Sequence, residues 1–138
     1  MSELVHLTSA GVSVIIDTTT ARLLHWGAAL DPADLDALAG SSTGSVTFSS
    51  FDAPRTFPLL AVEADGWSGA PALAWHRGGL HSAPLLRPVG WESSSATSLR
   101  AEFADAAAEV TVVLDLDLDP SGVLTAQVSV TSTSDRAE

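Results

Sequence analysis

Gly66-Trp67-Ser68-Gly69-Ala70-Pro71-Ala72-Leu73-Ala74-Trp75-His76-Arg77 gathers two indoles, an imidazole and a guanidinium within a stretch punctuated by glycine and proline, with Asp65 just before it. A Trp side chain needs apolar contact for its ring and a partner for its N–H. A sugar offers both, through C–H faces that stack and hydroxyls that hydrogen-bond. Recognition of a hydroxyl-rich ring is therefore the chemistry this stretch could do. The same residues could also pin the loop to its own sheet through buried indoles.

Other residues invite chemistry less well. Asp115, Asp117 and Asp119 alternate, so their carboxylates fall on one side of an extended strand and could offer hard oxygen ligands to calcium. An EF-hand loop beginning at Asp115 needs Gly and Glu where Pro120 and Ala126 stand, so a solvated strand face is the better reading. His76 and His81 lie five apart in a Gly-rich loop, but no third metal ligand follows at a zinc-like spacing. Gly78-Gly79 beside Arg77 could hold an anion, yet the chain has no lysine to complete a phosphate-binding loop. Ser68 sits in Gly-Trp-Ser-Gly, which lacks the spacing of a Gly-x-Ser-x-Gly nucleophile elbow. No catalytic residue, metal site or cofactor site is assigned.

The elements that must position the loop read mostly as strands and turns. Residues 4–8 and 12–16 are β-branched apolar runs separated by Ser9-Ala10-Gly11, which predicts a hairpin. Residues 22–26 predict a third strand that Gly27 ends, making a meander. Residues 31–40 predict one short helix, with Asp31 as N-cap, Pro32 at the first helical position and Gly40 at its end. Residues 41–45 then form a connector. From Asp52 to Pro88 the density of Gly and Pro predicts long loops with brief strands, where binding residues commonly sit.

Near the C-terminus, Val110, Val112, Leu114, Leu116 and Leu118 alternate with Thr111, Val113, Asp115 and Asp117, the pattern of a strand with one buried face. Asp119-Pro120-Ser121-Gly122 is a turn, and Leu124, Ala126, Val128 and Val130 resume the alternation. The expected fold is all-β, an antiparallel β-sandwich with one short helix. Residues 131–138 offer no strand to pair with the last one, so one domain spanning 1–138 and incomplete at its C-terminal end is expected.

Composition narrows the function. The chain has 138 residues, 46% of them hydrophobic and 17% charged, which suits one globular domain with a core and is too short for a (β/α)₈ barrel. Its net charge of −11, with arginine supplying all six basic residues, disfavours nucleic acid and anionic membranes. With no cysteine, disulfides, thiolate metal sites and cysteine nucleophiles are excluded. The N-terminus lacks a basic, then apolar, signal pattern, and no run reaches the roughly 18 apolar residues of a membrane span, so a cytoplasmic protein is expected.

Three blocks carry a resemblance: Arg22-Leu23-Leu24-His25-Trp26-Gly27; Gly66-Trp67-Ser68-Gly69-Ala70-Pro71-Ala72-Leu73 with His76-Arg77; and Leu118-Asp119-Pro120-Ser121-Gly122-Val123-Leu124. In order and spacing they resemble the N-terminal domain of actinobacterial α-galactosidases of glycoside hydrolase family 36. The resemblance runs from Leu4 to Thr133. It implies a galactose-mutarotase-like β-supersandwich that precedes a catalytic (β/α)₈ barrel, whose two aspartates carry out retaining hydrolysis. It also implies that neither aspartate lies in this chain, which is then inactive alone.

By the same resemblance, the partners are the chain's own catalytic barrel, an α-galactoside and identical subunits. Trp67, His76, Arg77 and Asp65 are the residues that it places nearest the galactose pocket. The alternative is a stand-alone carbohydrate-binding sandwich in which Trp67 and Trp75 form a stacking platform.

Overall fold

The computed structural model describes residues 3–42, 57–79 and 82–134. Apolar residues at period two make Leu4–Ser9 (β1) and Val12–Asp17 (β2) an antiparallel pair, turned by Ala10 and Gly11, both with positive φ. Arg22–Ala28 (β3) pairs back on β2 across a bulge between Ile15 and Ile16, and the two residues of Phe57–Pro58 (β4) close a four-stranded meander. Gly27 does not end β3. It pairs with Ser13 inside the ladder, and pairing runs on to Ala28.

The helix also departs from expectation at its end. Asp31 caps it as expected, accepting from the Ala33 N–H, but the first turn, Pro32–Asp34, is a 3₁₀ turn. The α-helix Leu35–Ser42 (α1) then passes through Gly40, which shows no positive φ and so does not terminate it. Ser41 and Ser42 are therefore helical, and the rest of the expected connector, 43–45, lies outside the described residues.

The second sheet has the order Arg87–Glu92 (β5), Ser98–Asp105 (β6), Val110–Leu118 (β7) and Leu124–Ser132 (β8), all antiparallel. Asp119 to Gly122 forms the β7–β8 turn as expected: the Gly122 N–H donates to the Asp119 carbonyl and Gly122 takes φ +84°. A Cβ on Gly122 would stand 2.6 Å from Val12 Cγ2, so this turn docks on β2 only because the residue is glycine.

The two sheets face each other over one core, an antiparallel β-sandwich with one short helix. Leu7, Val14 and Ile16 from the first sheet meet Leu99, Phe103, Val112, Leu114 and Leu116 from the second, with Leu60, Val62 and Leu86 filling in from the connections. β2 is buried on both faces, because the chain after β3 folds over its outer side. There the Leu30 N–H donates to Ser13 Oγ, which also bonds His6 Nε2.

The sheets are offset. β1 lies against β7, and beyond that line β8 is left uncovered. Val128 and Val130 stand opposite the buried Leu114 and Val112, hence on the core-facing side, yet are 46% and 45% exposed. On the opposite flank Trp26 and Phe57 pair with Val14 and Leu23 and are 54% and 66% exposed.

Candidate functional site

The aromatic loop is carried on the connection between β4 and β5. A 3₁₀ turn, Glu63–Asp65, opens it and Gly66 closes that turn at φ +82°, its N–H donating to the Glu63 carbonyl. Trp67 then folds its indole back over the chain. Its Nε1 donates to the Ala70 carbonyl at 3.1 Å, and a Cβ on Gly69 would stand 2.8 Å from that nitrogen. Gly69 is therefore needed for the ring to lie where it does, and the N–H already has a partner within the loop. Trp67 remains half-buried among exposed neighbours, so part of its ring is open to a ligand.

From Pro71 the chain is extended, tied by the Ala72 N–H to the Ala61 carbonyl, and burial alternates. Leu73 and Trp75 turn inward and pack against the core, whereas Ala72, Ala74 and His76 are exposed. Arg77 turns inward as well. Its guanidinium lies 5.0 Å from the centre of the Trp75 ring, a cation–π stack, and it bonds Glu109 Oε2 at 3.1 Å and Ser132 Oγ at 2.8 Å. Its side chain is 16% exposed.

Arg77 thus clamps the loop to the start of β7 and the end of β8. At the same place Glu109 adopts φ +52°, and its carbonyl accepts from the Thr133 N–H. A non-glycine residue in that region carries strain that its partners must hold.

The expected candidates therefore fall into two groups. Trp67, Asp65 and His76 are on the outer side of the loop, while Arg77 is committed to the protein. Asp65 forms only a loose, exposed ion pair with Arg87 Nη1 at 3.7 Å, of the kind that contributes little. Trp75, the second indole of a stacking platform, has Arg77 over its ring and its body against the core. Trp67 and Trp75 therefore do not form an open pair. His81 lies outside the described residues, and His76 points away from Arg77 along the extended strand of chain.

The three alternating aspartates do not converge. Asp115 accepts two bonds from Arg100 Nη1, at 2.9 and 3.1 Å, and Asp119 Oδ1 accepts from the Ser121 hydroxyl and N–H and the Val123 N–H. These donors, the Ser121 hydroxyl foremost, hold the Asp119 carboxyl below its ordinary pKa of 3.8.

Sequence reasoning missed a shallow groove on the outer face of the second sheet, about 220 Å³, lined by Gly90, Trp91, Glu92, Arg100 and Glu102. Trp91 stands edge-on to the core residue Phe103, their ring centres 5.8 Å apart. The alternating charges at 92, 100, 102, 115 and 117 were the available signal for this polar face. Trp26 and Phe57, 54% and 66% exposed, are aromatics on the open flank that the sequence reading did not single out.

A family model described as the glycosyl hydrolase family 36 N-terminal domain matches residues 19–137. An α-galactosidase of Escherichia coli is 31% identical over 133 residues, covering 96% of this chain and 18% of that relative. The chain thus spans less than a fifth of the length of the relative it matches. No solved structure matches it significantly.

Proposed function

This chain belongs to the glycosyl hydrolase family 36 N-terminal domains, and from that premise we propose that it is the non-catalytic N-terminal domain of an α-galactosidase, inactive by itself. The observation that carries the reading is the match across residues 19–137, together with an α-galactosidase relative aligned along nearly the whole chain. Retaining hydrolysis of a terminal α-galactoside needs two carboxyl groups flanking the scissile bond, one attacking and one protonating the leaving oxygen. In this reading both belong to a barrel domain outside these 138 residues, which is the chain's principal partner.

Trp67, His76, Arg77 and Asp65 border the galactose pocket in this proposal. The half-buried Trp67 ring would stack on the sugar, Asp65 and His76 would meet hydroxyls, and Arg77 would hold the loop in place. Assembly of identical subunits and a cytoplasmic location belong to the same proposal. Among the described residues no helix is long and apolar enough to cross a membrane.

Turnover tests it. The purified chain should release no nitrophenol from p-nitrophenyl α-galactoside, and measurable hydrolysis would overturn the assignment. Within the complete enzyme Trp67→Ala should raise KM or disturb assembly, and an unchanged KM with unchanged oligomer mass would reduce Trp67 to a packing residue.

A further inference from the structure

The β6–β7 turn grips the aromatic connection at two points. At its start Asp105 accepts from the Ala107 and Ala108 N–H groups through Oδ1 and from the Leu85 N–H through Oδ2 at 2.7 Å. At its end Glu109 offers Arg77 a side-chain and a main-chain oxygen, Nη1 donating to Oε2 at 3.1 Å and Nη2 to the carbonyl at 3.5 Å. Ala108 between them is buried in the core and anchors the turn.

Glu109 does this from a backbone that disfavours it. At φ +52° glycine is relaxed and a side chain is not, and the other two non-glycine residues with positive φ among the described residues, Ala10 and Ala21, carry only a methyl group. Residues held in such conformations gather at sites that bind or switch. Stability does not account for this one, because its side chain is 42% exposed and a half-exposed ion pair contributes little. What the carboxylate adds is direction. Arg77 stacks on Trp75 and forks between Glu109 and Ser132, so the Glu109 oxygens fix the rotation of the guanidinium and with it the end of the segment that carries Trp67 and His76.

We propose that Glu109 is a positioning residue for sugar recognition, holding Arg77 so that residues 66–76 stand at the galactose pocket in one arrangement. This role rests on the reading of that loop as a wall of the pocket, and adds to it a residue that itself touches no sugar. Without the carboxylate the loop samples several arrangements and only a fraction of molecules present the competent one. Substrate binding then weakens by that fraction, while the chemical step, carried by carboxyl groups elsewhere, stays as it was.

The complete enzyme carries the test. Glu109→Gly relaxes the backbone and removes the carboxylate, so it would spare a mere turn residue and disable a positioning one. It should raise KM for p-nitrophenyl α-galactoside roughly three- to tenfold, with kcat kept within about twofold. Hydrogen exchange of residues 66–77, read by mass spectrometry, should speed by a similar factor while residues 110–118 of β7 keep their protection. Glu109→Gln keeps the reach and an accepting oxygen, and should recover most of both effects despite the unfavourable φ.

Unchanged exchange of 66–77 in Glu109→Gly overturns the proposal, as does an equal loss in the Gln and Gly variants. Protection lost across 110–118 as well makes Glu109 a folding residue and overturns it too. Faster loop exchange with a KM that moves in Trp67→Ala but not in Glu109→Gly, or a fall in kcat alone, overturns this role and leaves the sugar-pocket reading standing. Faster loop exchange with KM unmoved in both variants overturns that reading, and this role with it.

Discussion

Arg77 is the side chain on which the aromatic loop depends. It joins the loop to Glu109 and Ser132, residues 32 and 55 positions away, while stacking on Trp75. Truncating it leaves Glu109 without its ion partner beside a backbone already held at positive φ. Arg77→Ala should destabilise the chain by about 2 kcal/mol, the scale of charge-assisted bonds, as read from urea unfolding. Arg77→Lys should recover little of it, because an ammonium neither stacks flat on the indole nor forks between two acceptors. None of this was legible in the sequence, where Arg77 reads only as a cation among aromatics. Its partners are distant in the chain, and no local pattern points to them. The indole count was legible, but the different fates of Trp67 and Trp75 depend on which side of an extended segment each occupies.

Elements with a strict period and a recognisable turn read correctly. The alternation from Val110 to Leu118 and the Asp119-Pro120-Ser121-Gly122 turn become β7, its turn and β8, because side-chain period and turn chemistry agree. Glycine misled at two places: Gly27 sits within a ladder and Gly40 within a helix, where its permissiveness is tolerated rather than used. β2 hides its burial on both faces because its polar residues are bonded within the protein: Ser13 to His6 and the Leu30 N–H, and Asp17 by the Thr19 and Thr20 N–H groups and the Thr20 hydroxyl. The β7–β8 turn gives the chain an acid-sensitive element. Its three donors lower the Asp119 carboxyl below 3.8, so this support is fully present above pH 3.8 and lost as pH falls through the lower folded-state value. Between those limits the melting temperature of the parent chain should decline more steeply with acid than that of Asp119→Asn, and equal slopes would remove the turn from the account.

At the scale of the molecule, two sheets share a core but are offset, so each leaves a core-facing flank open: Trp26 and Phe57 on one side, Val128 and Val130 on the other. The spacing of strands and turns indicated a sandwich but not this offset, which follows from where β1 falls on β7. The chain also carries 17 carboxylates against six arginines, a net charge of −11. Its melting temperature should therefore rise from low salt to roughly 0.15 M, where the Debye length is about 8 Å, and a flat profile would show that self-repulsion is not a significant term. The Arg77 clamp has a further, kinetic meaning. It fastens the loop to residues 32 and 55 positions away at the ends of β7 and β8, contacts that need that hairpin in place, so Arg77→Ala is expected to speed unfolding more than it slows folding in a chevron measurement. Equal changes in both rates would place the clamp in the folding transition state, whereas a faster opening alone would make this one guanidinium the element that sets how long the loop stays ordered.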